Sequence, residues 1–398
     1  MRRAAIVAPV RTPVGKFLGT LKDVPVETLC SVVIRATLAR SKLDASLVDD
    51  VVFAQSYANS ETPCVGRWAA LAADLPIAVP GMQLDRRCGG GLQAVVNAAM
   101  MVQSGAADVV LAGGVESMSN VEYYTTSMRG GARAGSVTLH DRLDRGRERS
   151  QPSERFGYIS GMIETAENLA REYGITREDS DHYAARSHAR AAQAWSEGRF
   201  AEEVVPIPMT ARRGEKVIVD RDEGVRADST PAALARLKPL MKDGVCTAGN
   251  SSQQNDAASA CLVVAEDKLA QLHLEPLGFL VGWAAAGCDP ARMGIGPVPA
   301  VARLFRKTGL SWNDIDLVEV NEAFAAQVLA VLEGWGWNDQ ERLNVNGSGI
   351  SLGHPIGATG VRIMTTLLHE MRRRRSRYGL ETMCIGGGQG MAAVFERA

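Results

Sequence analysis

Two cysteines stand among glycines, Cys88 in RRCGGGLQAV and Cys384 in MCIGGGQGMA. Cys88 precedes the helix-like stretch Leu92–Gln103. Free N–H groups and the dipole at a helix start favour a thiolate there, and a thiolate is a nucleophile. The glycines after it remove side chains that would block a substrate carbonyl. An incidental buried cysteine in a glycine-rich turn fits the same residues. Cys384 closes a buried strand before Gly386, where backbone N–H groups can aim at an oxyanion. His354 lies in NVNGSGISLGHPIGATGVR, between Gly353 and Pro355 at another helix start. Beside Cys88 it would be the base that activates the thiol. Asn321 and Glu322 follow the apolar strand Leu317–Val320, at a sheet edge where α/β proteins place their sites. They also suit a helix cap.

The elements that must position these residues alternate. Strands are expected at Ala4–Ala8, Val51–Gln55 and Asp108–Ala112, the last ending at Gly113-Gly114. Helices are expected over Val26–Arg40 and Leu92–Gln103. Alternation with short turns argues a layered α/β fold. The last 120 residues or so repeat the first in register. An offset of 267 carries Val51 to Val318 and Cys88 to position 355, beside His354. Glycine runs ending in methionine, GGVESM at 113–118 and GGGQGM at 386–391, close the two copies. A duplicated α/β domain lets equivalent helix starts face one site. Between the halves lies an Arg-, Gly- and Ser-rich stretch, then helical segments at Ile163–Tyr173 and Arg177–Glu197. The expected organisation is an N-terminal half of residues 1–118 with 253–275, an inserted loop domain of 119–252, and a C-terminal half of 276–398.

Composition removes several classes. A net charge of −1 gives no global basic field for nucleic acid. The longest apolar runs fall far short of the ~18 residues that span a bilayer. The start MRRAAIVAPVRTPVGKF is basic, but Pro9 and Pro13 interrupt its apolar part, so no signal peptide is expected. Seven cysteines, an odd number without a CxxC pair, argue against a disulfide framework or zinc site. A reducing cytoplasm is therefore expected, with five thiols packing and two reserved for chemistry. The glycine runs lack dinucleotide-fingerprint spacing.

RRCGGGLQAV, NEAFA, NVNGSGISLGHPIGATG and CIGGGQGMA together resemble the signature segments of the thiolases, acetyl-CoA acyltransferases. TAGNSSQQNDAA, GPVPA and PVRTPVGKFLG are similar to further thiolase segments, so the resemblance runs from Ile6 to Val394. It implies a five-layered α-β-α-β-α fold of two similar halves with an inserted loop domain. It implies Cys88 as the nucleophile carrying the acyl group, with His354 taking its proton. Cys384 would be the second acid/base, and Asn321 would position a water in one oxyanion hole. The N–H groups of Cys88 and Gly386 would form the other. By the same resemblance Ser252, Ala323 and Phe324 line a pantetheine channel, Met293 lies near the acyl end and Arg226 near the nucleotide. The substrates would be acyl-CoA and coenzyme A, with no separate cofactor or metal and no membrane insertion. A homodimer or homotetramer is expected.

Three positions depart from the family pattern, and one of them bears on specificity. Gly90 replaces a common Ser, and Asp256-Ala257 replaces Asp-Gly. Gly161-Met162-Ile163-Glu164 lacks the His-Met pair of short-chain acetoacetyl-CoA thiolases. The last change favours a degradative thiolase of broader, bulky or branched acyl range. Two other classes fit these residues less well. A ketosynthase-like condensing enzyme uses one Cys with two His, whereas here only His354 sits in a motif. A non-catalytic acyl-CoA binder has no need of both Cys88 and Cys384.

Overall fold

A computed structural model describes residues 2–210 and 214–398. The chain opens with strand β1 (Ala4–Arg11) and the two-residue β2 (Gly15–Lys16), then α1 (Val26–Ser41), β3 (Asp50–Ala54), α2 (Val65–Ala72), β4 (Met82–Leu84), α3 (Gly90–Ser104) and β5 (Val109–Ser117). Hairpin β6–β7 (Tyr123–Tyr124, His140–Asp141) begins the insertion. Helices α4 (Arg142–Glu148), α5 (Ser153–Phe156), α6 (Met162–Tyr173) and α7 (Arg177–Ser196) follow, then hairpin β8–β9 (Ile207–Thr210, Lys216–Val219) and α8 (Pro231–Leu234). Strand β10 (Asn255–Ala265) and the short α9 (Leu269–Leu272) lead to β11 (Pro276–Gly287). The chain ends with α10 (Pro297–Thr308), β12 (Leu317–Val320), α11 (Ala325–Trp335), α12 (Thr359–Arg374), β13 (Tyr378–Ile385) and β14 (Gln389–Arg397).

Strand order is β4-β3-β5-β10-β1 in one sheet and β12-β13-β14-β11 in the other. Antiparallel pairing of β1 with β11, Ala5 opposite Phe279, joins the two into one hydrogen-bonded path. Helices α1 and α2 cover the outer face of the first sheet, and α10 and α11 lie outside the second. Between the sheets, α3 and α12 pack against each other. This is the five-layered arrangement. A helix sandwiched by two sheets has no solvent face, so its sequence should be apolar or satisfied all round. Residues Gly90–Val96 of α3 and Thr359–Met371 of α12 are accordingly buried. Both strands at the centre of the first sheet, β5 and β10, are buried along their whole length.

The insertion is tied in by buried charge. Arg11 donates to Glu203 Oε1 at 2.7 Å and to both oxygens of Asp222 at 2.7 and 2.9 Å, with all three residues buried. Breaking one partner of such a network typically costs about 3–5 kcal/mol, because it strands a buried charge.

One expectation needs correction. Strand β5 does not stop at Gly113-Gly114 but runs on to Ser117. Glycine is there for close approach rather than as a turn. A Cβ at Gly113 would strike the Phe53 ring, and one at Gly114 would overlap the Gly357 carbonyl. Pairing with β10 continues through both glycines to Ser117 opposite Asp256. Among the described residues no helix is long and apolar enough to cross a membrane.

Candidate active site

Cys88 lies in a 3-10 turn, Arg87–Gly89, that runs directly into α3. The equivalent turn of the second half, Ile356–Ala358, runs into α12 just after His354. The two turns pack against each other, so the internal repeat places both helix starts at one point. Cys88 is half-buried. Burial pushes its thiol up, while the Gly386 N–H, the Arg87 charge and its own N–H pull it back. Cys384, at the end of β13, is fully buried. Burial, then Cys88 and Cys288, hold its thiol well above the ordinary range. It therefore rests as a protonated acid.

His354 is also buried. Burial and the Arg362 charge depress its pKa to about 3, so the ring is neutral at working pH. Its Nδ1 lies 2.7 Å from the Thr359 hydroxyl, which reaches the Pro355 carbonyl at 3.0 Å. A hydroxyl has one hydrogen. With that hydrogen given to Pro355, Thr359 accepts from Nδ1–H, and Nε2 is left as the proton acceptor. The His354 N–H donates to Asn255 Oδ1 at 2.7 Å, fixing the backbone beneath the ring.

Asn321 is fully buried, and neither polar atom of its side-chain amide has a protein partner among the described residues. An unpaired buried amide is costly unless water or substrate satisfies it. The capping reading of Asn321 and Glu322 does not hold: α11 starts at Ala325 with Phe324 as its cap residue and no side-chain cap. Glu322 is instead an anchor. Its carboxylate accepts from Tyr183 Oη at 3.1 Å, Ser187 Oγ at 2.6 Å, Asn344 Nδ2 at 3.0 Å and the Ile350 N–H at 3.1 Å. Helix α7 of the insertion is thereby tied to the loop that leads to His354.

Met293, Ala323 and Phe324 join Cys384 in one apolar cluster with Ala166 and Cys246, against which Met162 and Ile163 of α6 pack. Ser252 is adjacent, its N–H donating to the Ala323 carbonyl at 2.9 Å. Arg226 stands apart from the cysteines, with an exposed side chain and a backbone N–H donating to His188 Nδ1 at 3.2 Å. Its loop is tied to the Ser252 segment, because the Gly224 carbonyl accepts from Gln253 Nε2 at 3.2 Å.

Glu116 is a site residue that sequence reasoning missed. It is buried, and its carboxylate accepts from the N–H groups of Ser56, Tyr57 and Gly357 at 3.1, 3.2 and 3.0 Å. Burial raises its pKa to about 7 against those three donors. A glutamate inside an otherwise small and apolar strand, GGVES, is the signal that could have found it. Thr359 and Asn255, which fix His354, carry no such mark.

The arrangement offers a thiol near backbone donors, a neutral imidazole of fixed tautomer, a second protonated thiol and an unpaired amide. Together they suit acyl transfer through a thioester with carbon-acid chemistry beside it. Comparison with known proteins points the same way. Residues 4–267 match the thiolase N-terminal domain and residues 274–397 the thiolase C-terminal domain. An acetyl-CoA acetyltransferase of Pseudomonas aeruginosa is 46% identical over 398 residues, all of both chains. A beta-ketothiolase of Cupriavidus necator is 43% identical over 399 aligned residues, covering 100% of this chain and 99% of its own. The crystal structure of a Bacillus anthracis acetyl-CoA acetyltransferase superposes with a TM-score of 0.95 at 42% identity, covering 100% of this chain and 99% of its own. Human mitochondrial 3-ketoacyl-CoA thiolase in complex with CoA gives 0.93 at 38% identity, covering 100% and 98%.

Proposed function

Because this chain belongs to the thiolase family and is an acyltransferase, we propose that it cleaves 3-oxoacyl-CoA with coenzyme A to acyl-CoA and acetyl-CoA, and catalyses the reverse Claisen condensation. The observation that carries this reading is the meeting of two thiols, Cys88 beside the Gly386 N–H and Cys384 close enough to feel the Cys88 charge. In the cleavage direction His354 Nε2 takes the Cys88 proton as sulfur attacks the 3-oxo carbon. Both groups are neutral at rest, so the ion pair forms with the attack and not before it. The C2–C3 bond then breaks. The electron pair passes to C2 of the departing acetyl-CoA unit, and the Cys384 thiol protonates it. The N–H groups of Cys88 and Gly386 and a water on Asn321 stabilise the two oxyanions. Removing one such donor costs about 10²–10³ in rate. Coenzyme A next loses its thiol proton to the Cys384 thiolate and attacks the Cys88 thioester, releasing acyl-CoA as the leaving Cys88 sulfur takes its proton back from His354. Coenzyme A thioesters are substrates throughout, and no step uses a resident cofactor.

Acyl range follows from the cluster around Cys384. Met162 and Met293 are flexible and repack around different shapes, and Gly161 adds no side chain where short-chain thiolases carry His. These features support a range wider than acetoacetyl-CoA, including longer or branched 3-oxoacyl groups. A homodimer paired through the edge strand β4 and a cytoplasmic setting complete the proposal. The test is coenzyme-A-dependent loss of the magnesium-enolate absorbance over 3-oxoacyl-CoA substrates from C4 to bulky. Wild type should be active, and Cys88→Ala should abolish turnover. A pure wild-type protein inactive on every chain length would overturn the reading.

A further inference from the structure

We propose that Arg87 is a positioning residue for the nucleophile, pinned by the inserted segment so that its guanidinium stays beside Cys88 and Gly386. The proposal rests on Cys88 acting as the nucleophile. Arg87 adopts a left-handed backbone, φ 47°, which is costly for a non-glycine residue. Its N–H is held by Asp85 Oδ1 at 2.6 Å. That backbone sends the side chain across the site, where Nη1 donates to the Gly146 carbonyl at 3.1 Å and to Ser150 Oγ at 3.2 Å. Gly146 and Ser150 belong to α4 and the turn after it. On the way the side chain passes over Gly386. A Cβ built there would lie 3.5 Å from Arg87 Cδ and 3.8 Å from Nη1. The oxyanion glycine and the nucleophile turn thus share one guanidinium, and that guanidinium is fixed by a third segment.

The charged and titratable neighbours of the Cys88 sulfur are Arg87 and Asp85 on its own segment, Cys384 on β13 and Tyr57 after β3. His354 sits before the turn packed against them. Arg87 is the cation of this set at working pH, since His354 is neutral. Its charge opposes the burial that disfavours the Cys88 thiolate. A fixed cation also costs nothing to reorient when charge develops on sulfur or on the acyl oxygen.

Iodoacetamide alkylation of Cys88, followed by peptide mass against pH, tests this without requiring turnover. Arg87→Gln keeps a donor for Gly146 or Ser150 but removes the charge. Its alkylation midpoint should rise by about half to one pH unit, making modification below the midpoint about 3–10-fold slower. Arg87→Lys keeps the charge and should shift less than half as far. Equal shifts in the Lys and Gln variants, or no shift in Gln, would overturn the proposal. Should Arg87→Gln not fold, Asp85→Asn decides. Its amide oxygen still accepts the Arg87 N–H while the opposing charge is gone, so the midpoint must fall, and an unmoved midpoint refutes the idea. Failure of the thiolase reading would look different: a normal alkylation profile in a protein that never forms an acyl-enzyme.

Discussion

The base assigned to Cys88 is fixed by a residue one turn further along the chain. The Thr359 hydroxyl chooses the tautomer of His354, and nothing about its type or position in GATGVR announces this. Cys88, His354 and Cys384 stood out as candidates because reactive residue types lay in glycine-rich segments, Cys88 and His354 also at repeat-equivalent positions. Thr359 was not, since a threonine at a helix start reads first as a local backbone partner, which it also is through Pro355. Thr359→Val keeps the shape and removes the hydroxyl. Its kcat/KM for thiolysis should fall about 10–100-fold as His354 loses its fixed Nδ1–H, while Thr359→Ser retains most activity. Equal activity of Val and wild type would show that the tautomer is set otherwise.

At the scale of elements, the site depends on two turns held together by one carboxylate. Glu116 at the end of β5 accepts N–H groups from the loop after β3 and from the turn after His354. The strands and helices carrying these turns were readable from apolar pattern, but their contact was not, because it runs from one side chain to backbone N–H groups that residue type does not mark. The glycines at 113 and 114 read as a strand end for the same reason. Their missing side chains serve neighbours far away in sequence, Phe53 and Gly357. In Glu116→Gln one N–H faces an amide donor, which should cost about 1–3 kcal/mol. The pH dependence has a definite sign. The folded pKa of about 7 lies above the ordinary 4.5. The folded chain therefore holds a proton in that window that the unfolded chain has released. This contribution is full below 4.5 and is lost as pH rises to 7, about 3 kcal/mol in all. Urea unfolding at pH 5 and 7.5 should show that slope in wild type and its absence in Glu116→Gln. An unchanged slope would assign the effect to another group.

For the whole molecule, the duplicated plan was visible as an offset of 267 residues, whereas the joining of the halves was not. Each copy predicts its own sheet, and only the folded chain shows β1 and β11 zipped edge to edge. One end of the path, β4, has a partner on one side only among the described residues. Met82 within it and the nearby Ile77 are exposed. An exposed strand edge beside apolar side chains favours pairing with a second copy. Sedimentation equilibrium should therefore give twice the 42.5 kDa chain mass, and a mass of one chain would remove the dimer.

The β1–β11 seam also sets a timetable for synthesis. Strand β1 is made well before its two sheet partners, which begin at residues 255 and 276. An apolar strand with both edges open must wait on the ribosome while more than half the protein is produced. Loop closure over such separations is slow, and unpaired edges invite wrong partners in the meantime. A cell making this chain has to shelter its first eight-residue strand for most of a translation cycle.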